Sequence, residues 1–137
     1  MKFITALLTV LVLSVTNSLT AQNKTITATV VNVTSIDGKV GFALYNKANF
    51  MKKPLQAKNA KIIEGKSTIT FENLPDGEYA IICYHDKNDN NRMDFEPNGM
   101  PKEDYGTSNN VMSFGPPQFN DAKFLLTTKN ISLDIRF

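Results

Sequence analysis

The sequence is short of the residues on which many small extracellular and metal-binding domains depend. It has one cysteine, one histidine and no tryptophan among 137 residues. One cysteine cannot form a disulfide within the chain, and a lone His with a lone Cys supplies too few soft ligands for a zinc site. The stability of the fold must therefore come from core burial, and from a hard metal ion if one is bound.

An excess of charge of one sign is also missing. The chain has 15 basic and 13 acidic residues, a formal net charge of +2. It contains neither the basic surface of a nucleic-acid-binding protein nor a polybasic or amphipathic membrane segment. We therefore predict no nucleic-acid partner and no membrane insertion of the mature chain.

No hydrophobic run is long enough to span a bilayer. The longest, residues 3–15, follows Met1 and Lys2 and is typical of a secretory signal peptide, which we expect to comprise residues 1–21. The only cysteine, Cys83, lies far from the expected cleavage site, so a lipoprotein is not predicted. We expect a periplasmic or secreted protein whose residues 22–137 form one domain.

Short alternating segments separated by turn residues dominate the mature chain. Asp37-Gly38 and Gly65-Lys66 are hairpin signals, so we expect segment 25–33 to pair with 39–45 and 60–64 with 67–71. Both faces of segment 78–85 are apolar, which predicts a central strand covered on both sides. About seven strands and no long helix predict an all-β, immunoglobulin-like sandwich. The predicted strands are residues 25–33, 39–45, 60–64, 67–71, 78–85, 122–127 and 131–137.

A long irregular stretch follows segment 78–85 and is rich in Asn, Asp, Gly and Pro up to residue 121. Irregular loops of this length are more often functional than idle. At its start, oxygen-bearing side chains recur at alternate positions, as in loops that bind calcium. Where a helical calcium-binding loop places a bidentate Glu, this sequence has Pro97, so a later acid, Glu96, Glu103 or Asp104, has to complete the site. The predicted metal ligands are Asp86, Asn88, Asn90, the carbonyl of Arg92, Asp94 and Glu96.

Two interpretations of this loop remain open. In the first it binds calcium weakly, with a Kd of roughly 10⁻⁵ to 10⁻³ M, because two ligands are neutral amides. In the second the Asn and Asp side chains only cap local backbone groups in Asx-turns, with no ion.

The remaining polar and aromatic candidates indicate no enzyme. His85 has neither a nucleophile nor an orienting group in any recognisable pattern, and Cys83 is expected to be a buried, inert thiol. Tyr105, Phe114 and Phe119 lie among glycines and prolines and are candidates for binding carbohydrate or peptide, or for a small core under the loop.

Four ordered motifs resemble a known family. They occupy residues 71–80, 85–94, 99–110 and 114–119, and they are similar to a family of small exported bacterial proteins catalogued as domain of unknown function 2141. The resemblance implies export and a single compact domain, and it brings no activity, substrate or catalytic residue.

A more distant resemblance concerns the Leu-Pro-Asp-Gly-Glu-Tyr segment at residues 74–79. It is similar to the turn and strand of transthyretin-like and collagen-adhesin-type B sandwich modules. In some of those adhesin modules a strand leads directly into an Asp-x-Asn-x-Asp calcium loop, which supports the placing of Asp86. This sequence departs from them at Asn90 and Asn91, where Asp-Gly is expected.

Together these patterns predict a non-enzymatic exported module, structural or partner-binding in the cell envelope, with a weak calcium-binding loop. The alternative is a carbohydrate- or peptide-binding module without metal. A metal-assisted hydrolase using the same carboxylates is a third class. An unknown protein or glycan partner is expected, and the sequence does not specify the oligomeric state.

Overall fold

A computed structural model describes residues 23–137, so the predicted signal peptide, residues 1–21, lies outside the described residues. No helix among residues 23–137 combines the length and the hydrophobicity needed to cross a membrane. The elements are β1 (Lys24–Val30), β2 (Lys39–Tyr45), β3 (Gln56–Ala60), β4 (Ser67–Leu74), β5 (Gly77–Asp86), β6 (Tyr105–Thr107), a 3₁₀ turn (Ser108–Asn110), α1 (Phe119–Ala122), β7 (Phe124–Leu126) and β8 (Ile131–Ile135).

The strands form two sheets that pack face to face. One sheet has three strands in the order β4-β1-β8, in which β1 and β8 run parallel. The other has five strands in the order β3-β2-β5-β6, with β7 paired to the beginning of β5. This arrangement confirms the predicted all-β sandwich.

Alternation along β1 shows why this segment is a strand. Ile26, Ala28 and Val30 point into the core and are fully buried. Thr27 and Thr29 face outward and hydrogen-bond across to threonines of β4, at 3.1 and 3.0 Å between hydroxyl oxygens. The core also contains Val33, Val40, Phe42, Leu44, Ile69, Phe71, Leu74, Tyr79, Ile81, Cys83, Leu126 and Ile135.

Strand β5 is central, as predicted from its two apolar faces. It is flanked by β2 and β6, and its core face carries Ile81 and Cys83. On its other face, Ala80 is covered by Phe119 and Ala122 of α1. Tyr79 closes the corner between β4 and β5, because its hydroxyl donates to the carbonyl of Pro75 at 2.7 Å.

Both predicted hairpins are wrong. β1 pairs with β4 and β8, whereas β2 pairs with β3 and β5 in the opposite sheet. The segment around Asp37-Gly38 therefore carries the chain from one sheet to the other. The chain does turn tightly at Ile63 and Lys66, whose backbones exchange hydrogen bonds of 2.8 and 3.0 Å, but β3 and β4 then diverge into different sheets. Turn residues specify a change of direction, while burial of each strand's apolar face selects its sheet.

The bend at Asp37-Gly38 packs directly onto the end of β5. Gly38 has a φ of +68°, which favours glycine, and a Cβ placed there would lie 1.9 Å from the carbonyl oxygen of Asp86. Only a residue without a side chain allows this contact. The fold thereby fixes the point at which β5 enters the long irregular connection.

Candidate cation site

Asp86 is the last residue of β5 and organises the turn that follows it. Its side chain is fully buried. The N–H of Asn90 donates to Asp86 Oδ1 at 3.0 Å, and the N–H of Asn91 donates to Oδ2 at 2.8 Å. Asp89 and Asn91 adopt positive φ values of 59° and 64°, which Asn and Asp tolerate better than most residues. The carboxylate therefore holds the chain in a curl around itself.

Asn88, Asn90 and Asp94 converge on one point of this curl. The side-chain amides of Asn88 and Asn90 donate to Asp94 Oδ2 at 2.7 and 2.8 Å. Arg92 donates its backbone N–H to Asn90 Oδ1 at 3.1 Å, and its exposed guanidinium lies 3.5 Å from Asp94 Oδ1. Five of the six predicted ligand residues, those from Asp86 to Asp94, thus take part in one connected cluster.

The pKa of Asp94 is lowered by this arrangement. The main cause is the hydrogen bond from Asn88, which stabilises the charged carboxylate. Asn90, Arg92 and Lys102 act in the same direction, whereas desolvation opposes them. Asp94 is therefore ionised at neutral and mildly acidic pH, as a calcium ligand has to be.

Of the three later acids considered, Glu103 hydrogen-bonds directly to the backbone of the loop. Glu103 is 7% exposed, and its two carboxylate oxygens accept from the N–H groups of Lys87 (3.2 Å) and Asp94 (3.1 Å). Glu96 is exposed, and its carboxylate lies 3.9 Å from Lys102 Nζ. We call residues 86–103 the cation loop, because Glu103 ties its two ends together.

Sequence reasoning missed Lys39, which lies on β2 directly opposite Asp86. Its ammonium is 2.6 Å from Asn91 Oδ1 and 3.9 Å from Asp86 Oδ2, and it also pairs with Asp89. The missing information was the register between β2 and β5. Once that pairing is known, the cross-strand position of Lys39 identifies it as a neutralising charge.

Tyr84 lies close enough to the cation loop to sense its charge. Its ring packs over Gly41, where a Cβ would approach the ring to 2.7 Å. Burial is the main cause that raises the pKa of Tyr84, and the negative charges of Asp86, Glu103 and Asp94 raise it further. A change in the charge of these carboxylates should therefore change the pKa of Tyr84.

The donor chemistry of the cluster fits a hard cation. Each carboxylate oxygen has more than one lone pair, so Asp86 can accept its backbone hydrogen bonds and still face an ion. Rotation of the Asn88 and Asn90 amides by half a turn would direct their oxygens to the point where their NH₂ groups now meet Asp94. The same rotation would break the hydrogen bonds that these oxygens accept from the N–H groups of Asn90 and Arg92, at 3.3 and 3.1 Å, so an ion would have to replace them. Among residues 23–137, no three His, Cys, Asp or Glu side chains gather as a metal centre. The candidate site is thus a mixed set of carboxylate and amide oxygens.

His85 and Cys83 lie in the core beside the loop. His85 Nε2 is 2.7 Å from the carbonyl oxygen of Asp37, and its ring stacks on Phe137 with centroids 6.4 Å apart. Its buried Nδ1 has no hydrogen-bond partner among the described residues. Cys83 Sγ donates to the carbonyl of Gly106 at 3.5 Å, and burial raises the pKa of this thiol. A protonated, enclosed thiol is not a nucleophile.

The three aromatic candidates of the later stretch have different environments. Phe119 is buried against Ala80, whereas Phe114 is fully exposed. Tyr105 is partly exposed and lines a pocket of about 400 Å³. The pocket lies beside residues 111–117, which we call the apolar loop.

Comparison with curated proteins gave no match, and comparison with solved structures gave none. The sequence profile of a family described as "Uncharacterized protein conserved in bacteria (DUF2141)" matches residues 28–134, which confirms the resemblance carried by the four motifs and shows that the chain belongs to this family.

Proposed function

We propose that the protein is a non-enzymatic, exported β-sandwich module whose cation loop binds calcium weakly. Its role would be structural or partner-binding in the cell envelope. The observation that carries the calcium proposal is the meeting of Asn88, Asn90 and Asp94 at one point, beside the buried carboxylate of Asp86. With the two amides rotated, the curl would present side-chain oxygens, which are the ligands that calcium prefers.

The charges around the loop support weak rather than tight binding. Of the five clustered ligand residues only Asp86 and Asp94 are anionic, Asn88 and Asn90 are neutral amides, and the nearby carboxylate of Glu103 is occupied by two backbone N–H groups. Lys39 already neutralises part of the charge of Asp86 from 3.9 Å. Low charge and a neighbouring cation both reduce calcium affinity, so we retain a Kd of roughly 10⁻⁵ to 10⁻³ M.

Calcium would then serve to stiffen the connection between β5 and β6. Glu103 closes the loop two residues before β6 begins, so any tightening of the loop is passed to Tyr105 through a very short segment. At calcium concentrations about ten times the Kd, linkage predicts about 1.4 kcal/mol of added stability. For a domain of this size that corresponds to a rise in Tm of about 5 °C.

The test is a thermal melt of residues 22–137 in calcium, in magnesium and in chelator. We expect a rise in Tm with calcium and a smaller one with magnesium, which requires stricter geometry. Asp94→Asn should abolish the rise, whereas Asp134→Asn, an exposed carboxylate on β8, should preserve it. Equal melting in calcium and in chelator would remove the calcium proposal and leave Asx-turns as the purpose of the loop.

The proposal of export rests on the signal-like residues 1–21. Expression of the full chain in a bacterial host, followed by N-terminal sequencing of the periplasmic fraction, should give a product beginning at Gln22. An intact Met1 in a cytoplasmic fraction would contradict export without affecting the calcium proposal.

A further inference from the structure

We propose that the protein forms a two-fold symmetric dimer in which the apolar loop of each copy enters the adjacent pocket of the other. The proposal does not depend on calcium. It rests on a protruding apolar segment, a pocket beside that segment, and two opposite charges in the pocket.

The protruding part is the apolar loop. Met112 and Phe114 are fully exposed, and Val111 is about half exposed. No charged residue occurs anywhere in residues 105–120, although charged residues make up 20% of the chain. Exposed Met and Phe in a segment that carries no charged residue of its own are typical of the centre of a protein–protein interface.

The receiving part is the pocket of about 400 Å³ that begins at the base of the same loop. Val111 and Met112 of the apolar loop line it together with Tyr105 and Arg136. The volume is sufficient for an aromatic side chain such as that of Phe114. A protrusion and a recess that lie side by side on one face can be satisfied reciprocally by a two-fold axis.

The pocket also contains one positive and one negative side chain, so two copies related by a two-fold axis can pair opposite charges. Arg136 and Asp121 both line it, and neither side chain forms an ion pair with another of residues 23–137. In a two-fold dimer, Arg136 of each copy can face Asp121 of the other, which gives two equivalent pairs. The small net charge of the chain, +2, adds little repulsion between copies.

Other occupants fit these observations less well. A carbohydrate bound to the polar side chains of the pocket, such as Asn110 and Gln118, would leave Phe114 uncovered, because Phe114 is fully exposed and does not belong to the pocket lining. A membrane-binding loop is flanked by several Lys or Arg, whereas Arg136 is the single basic residue in the pocket lining and the acidic Asp121 lies in the same lining. A second copy is the occupant that matches both the shape and the charges.

The first experiment is sedimentation velocity of residues 22–137 over a wide concentration range, in chelator so that the result is independent of the cation loop. We expect a monomer–dimer equilibrium for the unmodified chain. Phe114→Ser should weaken dimerisation by at least about tenfold, as expected for a central aromatic residue. Ile63→Ser is the matched control, because Ile63 is 71% exposed and lies between β3 and β4, at the opposite side of the sandwich.

The second experiment tests the symmetry through a charge exchange. Arg136→Glu and Asp121→Arg should each weaken the dimer, and the double variant should recover most of the affinity because the two signs are exchanged together. Additive weakening in the double variant would overturn the reciprocal arrangement. A chain that stays monomeric at every concentration would overturn the dimer itself, and so would retention of that monomer on immobilised glycan or peptide through the pocket.

Discussion

The cation loop and the apolar loop belong to the same irregular connection, yet they treat their side chains in opposite ways. In the cation loop, the polar groups turn inward and satisfy one another, with Asp86 and Glu103 buried. In the apolar loop, Met112 and Phe114 point away from the protein and touch nothing that buries them. The cation loop is therefore held by hydrogen bonds within the loop. The apolar loop is held only by the residues that flank it.

The anchors of the second region lie just outside its apolar tip. Asn110 receives the N–H of Arg136 at 2.8 Å and donates to the carbonyl of Asp134 at 2.9 Å, so its amide pairs with the free edge of β8 as a strand would. Ser108 donates to the carbonyl of Ala122 and accepts from the N–H of Ile81 at 2.9 Å. These hydrogen bonds fix the chain where the apolar tip begins, whereas the cation loop is fixed along its own length.

The largest predicted effect would come from removing the organiser of the cation loop. Asp86→Ala would remove the acceptor of the Asn91 N–H and one of the two acceptors of the Asn90 N–H, and it would leave a gap at a fully buried position. We expect it to lower the free energy of unfolding by about 3 kcal/mol. Met112→Ala, in the apolar loop, should change it by less than about 0.5 kcal/mol. Urea denaturation of the two variants measures the difference, and equal values would show that the two loops are held in the same way.

A second prediction concerns the support beneath the cation loop. Gly38→Ala should destabilise the protein by about 3 kcal/mol, since the new Cβ would meet the Asp86 carbonyl in addition to the strain of a positive φ. Gly99→Ala is the matched control, with a φ of +84° and no atom within 4 Å, so it should cost only about 1 kcal/mol. If the two variants unfold at the same urea concentration, the close contact at Gly38 is not a constraint on the loop.

Gly38 also shows which features of the fold can be predicted from the sequence. The Asp37-Gly38 pair correctly predicted a sharp change of direction, because the need for a positive φ is a local property. Its assignment to a hairpin was wrong, because strand partners are decided by core burial between distant segments. The alternation of β8 and the two apolar faces of β5 were predictable for the opposite reason, since a strand's own pattern records which faces are covered.

The residues of the candidate site also differ in whether the sequence alone could predict them. The spacing of Asp86, Asn88, Asn90 and Asp94 was visible in the sequence because one short turn brings them together. Glu103 was one of three possible closing acids, and choosing it required the path of the chain over nine further residues. Lys39 had no local signal at all, because only the register of β2 on β5 places it opposite Asp86.

A third prediction separates the stability of the cation loop from its affinity for calcium. Lys39→Met removes the ammonium that lies 3.9 Å from Asp86 Oδ2 and that also binds Asn91. The melting temperature in chelator should fall by a few degrees, corresponding to about 1 kcal/mol. The calcium affinity should rise roughly fivefold, because a competing positive charge of about that energy is gone.

Calorimetric titration and melts in chelator give these two quantities on the same sample. Lys58→Met is a suitable control, since Lys58 reaches the carbonyl of Thr70 at the opposite side of the sandwich. A loss of both stability and affinity in Lys39→Met would show that Lys39 builds the calcium-binding conformation instead of competing with the ion.

A fourth prediction uses pH. The lowered pKa of Asp94 means that its ionised form stabilises the fold above the ordinary carboxyl pKa of 3.8 and loses that contribution as pH falls through the lower folded value. The cation loop should therefore keep its structure as pH falls to the ordinary carboxyl pKa of 3.8 and open only below it, as Asp94 becomes protonated. The amide NMR signals of Asn88 and Asn90 should shift together in that range, while those of Met112 and Phe114 stay unchanged. Early shifts near pH 6 would contradict the assignment to Asp94.

The smallest predicted effect is spectroscopic and belongs to Tyr84. Burial and the carboxylates of Asp86, Glu103 and Asp94 together raise its pKa, and calcium bound at the loop would cancel the contribution of the charges but not that of burial. Calcium should therefore lower the pKa of Tyr84 while leaving it above the ordinary phenol value. The absence of tryptophan makes alkaline absorbance titration a clean measurement, and Tyr84→Phe identifies the affected group among the four tyrosines. Tyr79, whose raised pKa is due to burial alone, should not respond, so a uniform change in all tyrosines would indicate a general effect of salt.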